Sequence, residues 1–107
     1  MYRRLGKFEL AVADFSESIR YAPKSASGYT GRGNAYRGLK QFDDSIADHS
    51  EAIRLEPDNA DAYSNRGNAR DDANDKDGAV ADYRQALKIN PSLRNAATML
   101  KQLGASP

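Results

Sequence analysis

The hydrophobic residues of this chain recur at intervals of three and four positions, which is the spacing of the apolar stripe of an amphipathic α-helix. The stripe is clearest in one central segment, where it consists of Phe42, Ile46, His49, Ala52 and Ile53. A proline follows this stripe at position 57, and a proline ring cannot continue a helix. The pattern therefore predicts a helix that starts near Phe42 and ends before Pro57.

A helix of different composition is predicted immediately before it. Between positions 27 and 39, small and aromatic residues share one side at helical spacing, namely Gly28, Tyr29, Gly33, Ala35 and Tyr36. Positions 39–41 then form a short turn. The two helices together make a helical hairpin.

This hairpin pattern occurs more than once. The string RGNA starts at Arg32 and again at Arg66, and Pro23, Pro57 and Pro91 are separated by the same interval of 34 residues (57 − 23 = 91 − 57 = 34). A period of this length indicates a solenoid of stacked helical units.

Direct alignment of two segments supports the repeat. Residues 26–57 and 60–91 are identical at 11 of 32 aligned positions, whereas unrelated sequences of ordinary composition would share about two. We therefore predict an all-α, single-domain solenoid of about two and a half units. Its parts are a truncated first unit at 1–25, a second unit at 26–59, a third unit at 60–91 and a capping helix at 92–104. Asp58 and Ser92 are the predicted N-caps of the helices that follow them.

The charge balance and composition restrict the function. Lys and Arg total 16 and Asp and Glu total 15, whereas proteins that bind nucleic acids usually carry a basic excess. Cysteine is absent, which excludes disulfides and thiolate chemistry. No apolar run approaches the roughly 18 residues of a membrane span. We expect a cytoplasmic protein with neither a membrane nor a nucleic acid as its partner.

Residues capable of catalysis or metal binding do not form a recognisable site. His49 is the only histidine, and its repeat column is otherwise aromatic, so we assign it a packing role. The acidic segment 70–78 lacks the first and last ligands of a calcium-binding loop, because Ala73 and Arg84 stand there. We therefore expect no enzyme activity, no metal and no cofactor.

The residues of the repeat resemble the tetratricopeptide repeat (TPR), a helix–turn–helix of 34 residues with aromatic, small and proline positions in a fixed order. In unit 2 the matching residues are Tyr29, Gly33, Tyr36, Phe42, His49, Ala52 and Pro57; in unit 3 they are Tyr63, Gly67, Ala79, Tyr83, Ala86 and Pro91. We expect Gly33 and Gly67 to lie where the two helices of a unit approach most closely. Arg70 and Lys76 replace aromatic residues of unit 2, so we expect the third hairpin to be weaker.

The resemblance implies that the first helices of the units line a concave groove that binds another protein, through an extended peptide or an amphipathic helix. Carried onto this sequence, the groove residues are Arg37, Thr30, Asn34, Ser64, Asn65, Asn68, Asp71 and Asn95, with Thr98 and Gln102 beyond them and Arg3 and Arg4 at the N-terminal end. Asn34 and Asn68 are predicted to face outward. Asparagine can both donate and accept, so such a surface can hold a peptide backbone.

Members of the family that bind chaperones grip a terminal carboxylate with basic residues and two asparagines. Asn34 and Asn65 match the asparagine positions, whereas Thr30, Asn95 and Met99 stand where basic residues are required. Because this clamp is incomplete, binding of chaperone tails is not predicted. Other members carry a ladder of asparagines, of which only Asn65 is present here.

Two alternatives to groove binding remain open. The truncated first unit leaves an apolar strip that is a candidate interface, formed by Phe8, Val12, Phe15 and Ile19. Through this end the chain would form a homodimer, or act as a self-assembling segment or a fragment of a longer array. A nucleic-acid site would require a convergent basic patch from Arg3, Arg4, Arg32, Arg37 and Arg66. The register instead places Arg32 and Arg66 along a helix contact with their charged heads at the surface.

Overall fold

The computed structural model describes residues 6–105, and within that range the chain is entirely helical. The helices are α1 (Lys7–Tyr21), α2 (Ala26–Gly38), α3 (Phe42–Leu55), α4 (Ala60–Asp72), α5 (Lys76–Ile89) and α6 (Arg94–Gln102). Each packs mainly on its neighbours in sequence, and α2 also contacts α4. The predicted all-α solenoid is confirmed. Within the described part of the chain, each helix falls short of the length and apolarity needed to cross a bilayer.

Two tight turns build the hairpins α2–α3 and α4–α5. Each turn has three residues, and its middle residue adopts the left-handed conformation, with φ of 62° at Lys40 and 66° at Asn74. Asparagine tolerates this conformation better than most residues, whereas lysine is less common there. The predicted turn at positions 39–41 is confirmed.

The predicted helix caps are each displaced by one residue. Asn59, rather than Asp58, caps α4 by accepting a hydrogen bond from the backbone N–H of Ala62 at 3.3 Å. Leu93, rather than Ser92, precedes α6 and makes no side-chain cap. The cause is a turn after each second helix, closed by a bond from the Asn59 N–H to the Glu56 carbonyl and repeated in the next unit. This turn includes the residues that were predicted as caps.

The closest helix approaches lie at glycines. A Cβ atom on Gly33 would lie 2.8 Å from Cε1 of His49, and one on Gly67 would lie 2.8 Å from Cε1 of Tyr83. Real Cβ atoms essentially never come so close to another atom. The predicted packing role of both glycines is confirmed.

Helix α1 packs on the other side of α2, also through glycines. The Phe8 ring lies against Gly38 and the Phe15 ring against Gly31, while Cγ1 of Ile19 would be 3.0 Å from a Cβ on Gly28. Even so, α1 contains no buried residue. The apolar strip predicted to be uncovered is therefore partly covered by α2.

The core concentrates toward the C-terminal half. Its larger cluster of buried residues comprises Ala60, Ala79, Tyr83, Ala86, Ala96 and Leu100. A smaller cluster comprises Ala26, Ala52 and Ala62. Helix α6 covers the third hairpin by burying Leu100 and Ala96, while Lys101 and Gln102 are exposed as predicted.

Candidate functional site

The groove residues predicted on α2 form one stripe along its surface. Thr30 is half-buried, and Asn34 and Arg37 are exposed. They follow each other at intervals of four and three residues, so they share one side of the helix. The structure therefore presents them together on one accessible face of α2.

An open cleft of about 420 Å³ lies at the C-terminal end of this stripe. It is lined by Phe8, Asn34, Arg37, Gly38 and Asp72. The Arg37 Nε–H donates to Oδ2 of Asp72 at 2.5 Å, so this ion pair joins α2 to α4 across the cleft. The cleft therefore has an aromatic ring, a charged pair and a free amide in its wall.

The predicted groove lacks three of these residues, Phe8, Gly38 and Asp72. Sequence reasoning assigned Asp71 to the groove, but Asp71 is half-buried and it is Asp72 that meets Arg37. It assigned Phe8 to a separate interface, although its ring also borders the cleft. A search for opposite charges one repeat apart on successive first helices would have paired Arg37 with Asp71, the neighbour of its actual partner.

The asparagines differ in how they are engaged. Asn34 is exposed and Asn65 half-buried, and neither forms a hydrogen bond within residues 6–105. Asn68 instead accepts a hydrogen bond from the Tyr83 hydroxyl at 2.5 Å and is half-buried. The prediction that Asn68 faces outward is therefore corrected, because its carbonyl oxygen is turned toward α5. Burial raises the pKa of Tyr83 to about 12, so its hydroxyl remains a donor at neutral pH.

Two predicted groove residues do not join this surface. Ser64 is only 5% exposed. The reason is that α4 packs against three helices, α2, α3 and α5, and little of its surface remains accessible. Asn95 is exposed on α6 but lines neither this cleft nor the neighbouring one beside Thr30. Arg3 and Arg4 lie outside the described residues.

The arginines of the repeated RGNA string are engaged inside the protein. Arg32 donates from Nε and Nη2 to both oxygens of Asp48 at 2.8 Å, and from Nη1 to Ser16 at 3.2 Å. The side chains of Arg32 and Asp48 are 23% and 8% exposed. The prediction that the arginine heads lie at the surface is therefore wrong. Each guanidinium points into the contact between helices, where a carboxylate neutralises it.

Arg66 repeats the arrangement one unit later. It donates to both oxygens of Asp82 at 2.8 and 3.0 Å and to Ser50 at 3.2 Å. Each arginine thus connects its own helix to the second helix of its unit and to the second helix of the unit before. Arg32 also lies 5.8 Å from the ring centroid of Tyr29, and Arg66 lies 5.6 Å from that of Tyr63.

These pairs remove most of the charge that a nucleic-acid site would need. Arg32, Arg37 and Arg66 each have an aspartate partner. Hydrogen bonding of its guanidinium to the Asp48 carboxylate raises the pKa of Arg32 above its ordinary value. The predicted alternative of a convergent basic patch therefore finds no support among these three arginines.

Arg70 replaces an aromatic residue of unit 2, but it forms ion pairs within the third hairpin. Its Nη1 donates to Oδ2 of Asp82 at 3.0 Å, and its Nε lies 4.0 Å from Asp75. The expectation of a weaker hairpin rested on the loss of an aromatic residue, and it overlooked this ion pair. Asp75 in turn accepts from the Gly78 N–H at 2.9 Å and caps α5.

His49 and Ser45 are buried polar residues on α3. Both are fully buried, and within residues 6–105 neither the imidazole nitrogens of His49 nor the Ser45 hydroxyl has a hydrogen-bond partner. Burial lowers the pKa of His49 to about 4. A neutral imidazole packed over Gly33 agrees with the packing role that its repeat column predicts.

The predicted N-terminal interface residues lie on α1. Phe8 is 46% exposed, and Val12, Phe15 and Ile19 are half-buried. Leu10 and Tyr21, which were not predicted, are more exposed, at 51% and 81%. The uncovered apolar surface of α1 is therefore wider than the predicted strip.

Sequence comparison identifies the repeat. Models described as tetratricopeptide repeat match residues 2–49 and 60–93, and one described as TPR repeat matches residues 33–70. The comparison with curated proteins gave no significant match.

Solved TPR domains share the fold over most of their length. The Arabidopsis OM64 TPR domain is 30% identical with a TM-score of 0.86, covering 91% of this chain and 80% of that one. The first TPR of Spaghetti (RPAP3), bound to the HSP90 peptide SRMEEVD, is 28% identical with a TM-score of 0.88, covering 92% and 79%. The second TPR domain of human RPAP3, in complex with the HSP70 peptide SGPTIEEVD, is 25% identical with a TM-score of 0.87, covering 94% and 84%. The chain belongs to the tetratricopeptide repeat family.

Proposed function

We propose that this chain is a protein–protein interaction module, an adaptor without chemistry of its own, that binds an extended peptide of another protein along α2 and α4. The observation that carries the proposal is the pair of unengaged amides, Asn34 and Asn65, on neighbouring first helices. Asn34 also lines the open cleft. Two similar TPR domains are bound to peptides of HSP90 and HSP70, which supports peptide binding as the general class of function.

The side chains favour recognition of a peptide backbone over recognition of a terminal carboxylate. An amide can donate to a peptide carbonyl and accept from a peptide N–H at once. The basic positions of the family's carboxylate clamp hold Thr30, Asn95 and Met99, and Arg37 is already paired with Asp72. We therefore infer that the peptide SRMEEVD binds weakly here and that the natural ligand is held along its length.

Selection from a library of displayed peptides tests the proposal. The selected peptides are measured by calorimetry against the wild-type chain and against the double variant Asn34→Ala, Asn65→Ala. Loss of two hydrogen bonds should weaken binding by about tenfold or more. Amidation of the peptide C-terminus should change the affinity little, because no clamp holds that carboxylate.

A matched control removes an amide elsewhere. Gln85→Ala truncates a half-buried amide on α5, one of the second helices, that has no hydrogen bond within the described residues. It should bind the selected peptides as the wild type does. A library that yields no binder, or binders that tolerate the double variant, would count against the proposed function.

A further inference from the structure

Asn68 differs from the unengaged amides of the proposed groove because one of its two polar atoms is held inside the protein. Its Oδ1 accepts a hydrogen bond from the buried Tyr83 hydroxyl at 2.5 Å, while its Nδ2 has no partner among residues 6–105. Within this described range, the buried side-chain polar atoms without a partner belong to Ser45 and His49, so the Asn68 nitrogen is accessible to solvent. The side chain therefore presents a donor outward and keeps its acceptor inward.

Asn68 lies on the proposed peptide-binding face. Asn65, Asn68 and Asp72 follow each other on α4 at intervals of three and four residues, so they share one side of that helix. Burial is the main cause of the raised pKa of Tyr83, and the charges of Arg37 and Asp72 also affect it. The hydroxyl and its acceptor therefore lie near the ion pair that joins α2 to α4 at the cleft.

The preceding unit lacks this hydrogen bond. Asn34 and His49 stand one repeat of 34 residues before Asn68 and Tyr83. The two rings occupy corresponding places over a glycine of the first helix, but neither imidazole nitrogen has a hydrogen-bond partner in the part of the chain that the structure describes. Asn34 is thus free to turn either polar atom toward a ligand, whereas Asn68 is held in one orientation.

We propose that Asn68 is a further peptide-binding residue, which donates from Nδ2 to a backbone carbonyl of the bound peptide, and that Tyr83 is its positioning residue. The buried hydroxyl keeps the amide from turning over, so Asn68 binds an acceptor and does not accept from a peptide N–H. Because burial raises the pKa of Tyr83 to about 12, the hydroxyl keeps its proton at neutral pH. The inference rests on the proposed function, since it concerns the same peptide on the same face.

The charges beside Asn68 favour a neutral acceptor over a carboxylate. Asp71 and Asp72 follow Asn68 on α4. Asp72 is paired with Arg37, but Asp71 has no ion pair among residues 6–105. A ligand carboxylate at Asn68 would be repelled by this uncompensated charge. A peptide carbonyl carries no net charge and satisfies the same donor.

Calorimetry with the tightest-binding peptide from the display selection tests the proposal. The peptide is titrated into the wild type, Asn68→Ala, Tyr83→Phe and the variant that carries both changes, and circular dichroism checks that each protein is folded. Asn68→Ala should weaken binding by about three- to tenfold, as expected for one hydrogen bond. Tyr83→Phe should weaken it by about threefold, and should have no further effect when residue 68 is already alanine. A merely structural role of Tyr83 would weaken binding equally in both backgrounds.

Asn68→Asp tests the direction of the hydrogen bond. This variant keeps an oxygen for the Tyr83 hydroxyl but replaces the outward amino group with a second oxygen. It should bind more weakly than Asn68→Ala, because two acceptors would face each other. The matched control is Tyr63→Phe, which removes from α4 a hydroxyl that makes no hydrogen bond within the described residues. The control should bind the peptide as the wild type does.

Three results would overturn the proposal while leaving the proposed function intact. Asn68→Ala would bind the peptide as the wild type does, Tyr83→Phe would weaken binding equally in both backgrounds, or Asn68→Asp would bind as tightly as the wild type. A library that yields no binder would instead overturn the proposed function and this role of Asn68 together.

Discussion

At the scale of single residues, His49 shows how burial changes the chemistry of a side chain. Its ring is fully buried over Gly33, and neither nitrogen has a hydrogen-bond partner in the part of the chain that the structure describes. Desolvation disfavours the imidazolium, so the pKa falls to about 4, although neighbouring Asp48 acts in the opposite direction. The protein therefore folds around a neutral histidine.

This pKa predicts a loss of stability in mild acid. Between pH 6.5 and about pH 4 the unfolded chain binds a proton on His49 that the folded chain excludes. The free energy of unfolding therefore falls as the pH decreases through this window, by about 3 kcal/mol in total. Urea unfolding of the wild type and of His49→Phe at pH 7 and pH 4.5 measures it.

The control is the difference between the two proteins. The carboxylates are the same in both proteins, so their contribution to the pH dependence cancels in the difference. Only protonation of His49 makes the two free energies of unfolding depend differently on pH. The gap between the two free energies should shift in favour of His49→Phe as the pH falls. Parallel pH profiles would show that His49 is accessible to protons in the folded state.

The buried carboxylates allow a second prediction at the residue scale. Asp82 is 3% exposed and accepts hydrogen bonds from both Arg66 and Arg70. Asp82→Asn would leave the buried Arg66 guanidinium without its counter-charge and Arg70 with only the more distant Asp75, and we expect it to destabilise the fold by about 3–5 kcal/mol. Asp14→Asn changes the same repeat position where none of the described residues pairs with the carboxylate, and should alter stability by less than about 0.5 kcal/mol.

Chemical denaturation of the two variants checks this contrast. Equal losses of stability would show that Asp14 is already paired in solution. A small loss for Asp82→Asn would show that the buried ion pair contributes little beyond what a neutral amide supplies.

At the scale of helices, close packing depends on glycine where aromatic rings cross. Gly33 faces His49, and Gly67 faces Tyr83. On the opposite side of α2, further glycines accommodate the Phe8 and Phe15 rings of α1. Helix α2 therefore lacks side chains at the contact positions on two of its sides, and both α1 and α3 can pack closely against it.

Filling one of these contacts should destabilise the hairpin. Gly33→Leu would place Cβ within 2.8 Å of the His49 ring and the rest of the side chain beyond it. We expect a loss of about 1–3 kcal/mol in the free energy of unfolding, from overpacking. Ala97→Leu introduces the same side chain at an exposed position of α6 and should have little effect. Thermal melts of both variants measure the difference, and equal melting temperatures would contradict the account of this crossing.

At the scale of the whole molecule, the architecture could be predicted from the repeat in the sequence. The pairing of the buried side chains could not be predicted in this way. The prolines and the stripe from Phe42 predicted the helices and turns, because these depend on local spacing. The partners of Arg32 and Arg66 depend on how three helices meet, and for this reason the sequence analysis placed both charged heads at the surface instead of in buried pairs. A regular offset of 16 residues from each arginine to its aspartate, as between Arg32 and Asp48, was the signal available.

The groove was predictable only in part for the same reason. Thr30, Asn34 and Arg37 share one face because helical periodicity requires it. The burial of Ser64 and the engagement of Asn68 by Tyr83 depend on how α4 packs against its neighbours. Asp72 joins the cleft through a cross-unit ion pair that a repeat alignment does not reveal, since the aligned partner of Arg37 is Asp71.

The central claim is that the face formed by α2 and α4 binds a partner peptide, and amide chemical-shift mapping with a selected peptide tests it most directly. The largest shifts should cluster at Thr30, Asn34, Arg37, Asn65 and Asp72. Shifts concentrated on α1 or on the second helices α3 and α5, with these residues unaffected, would contradict it.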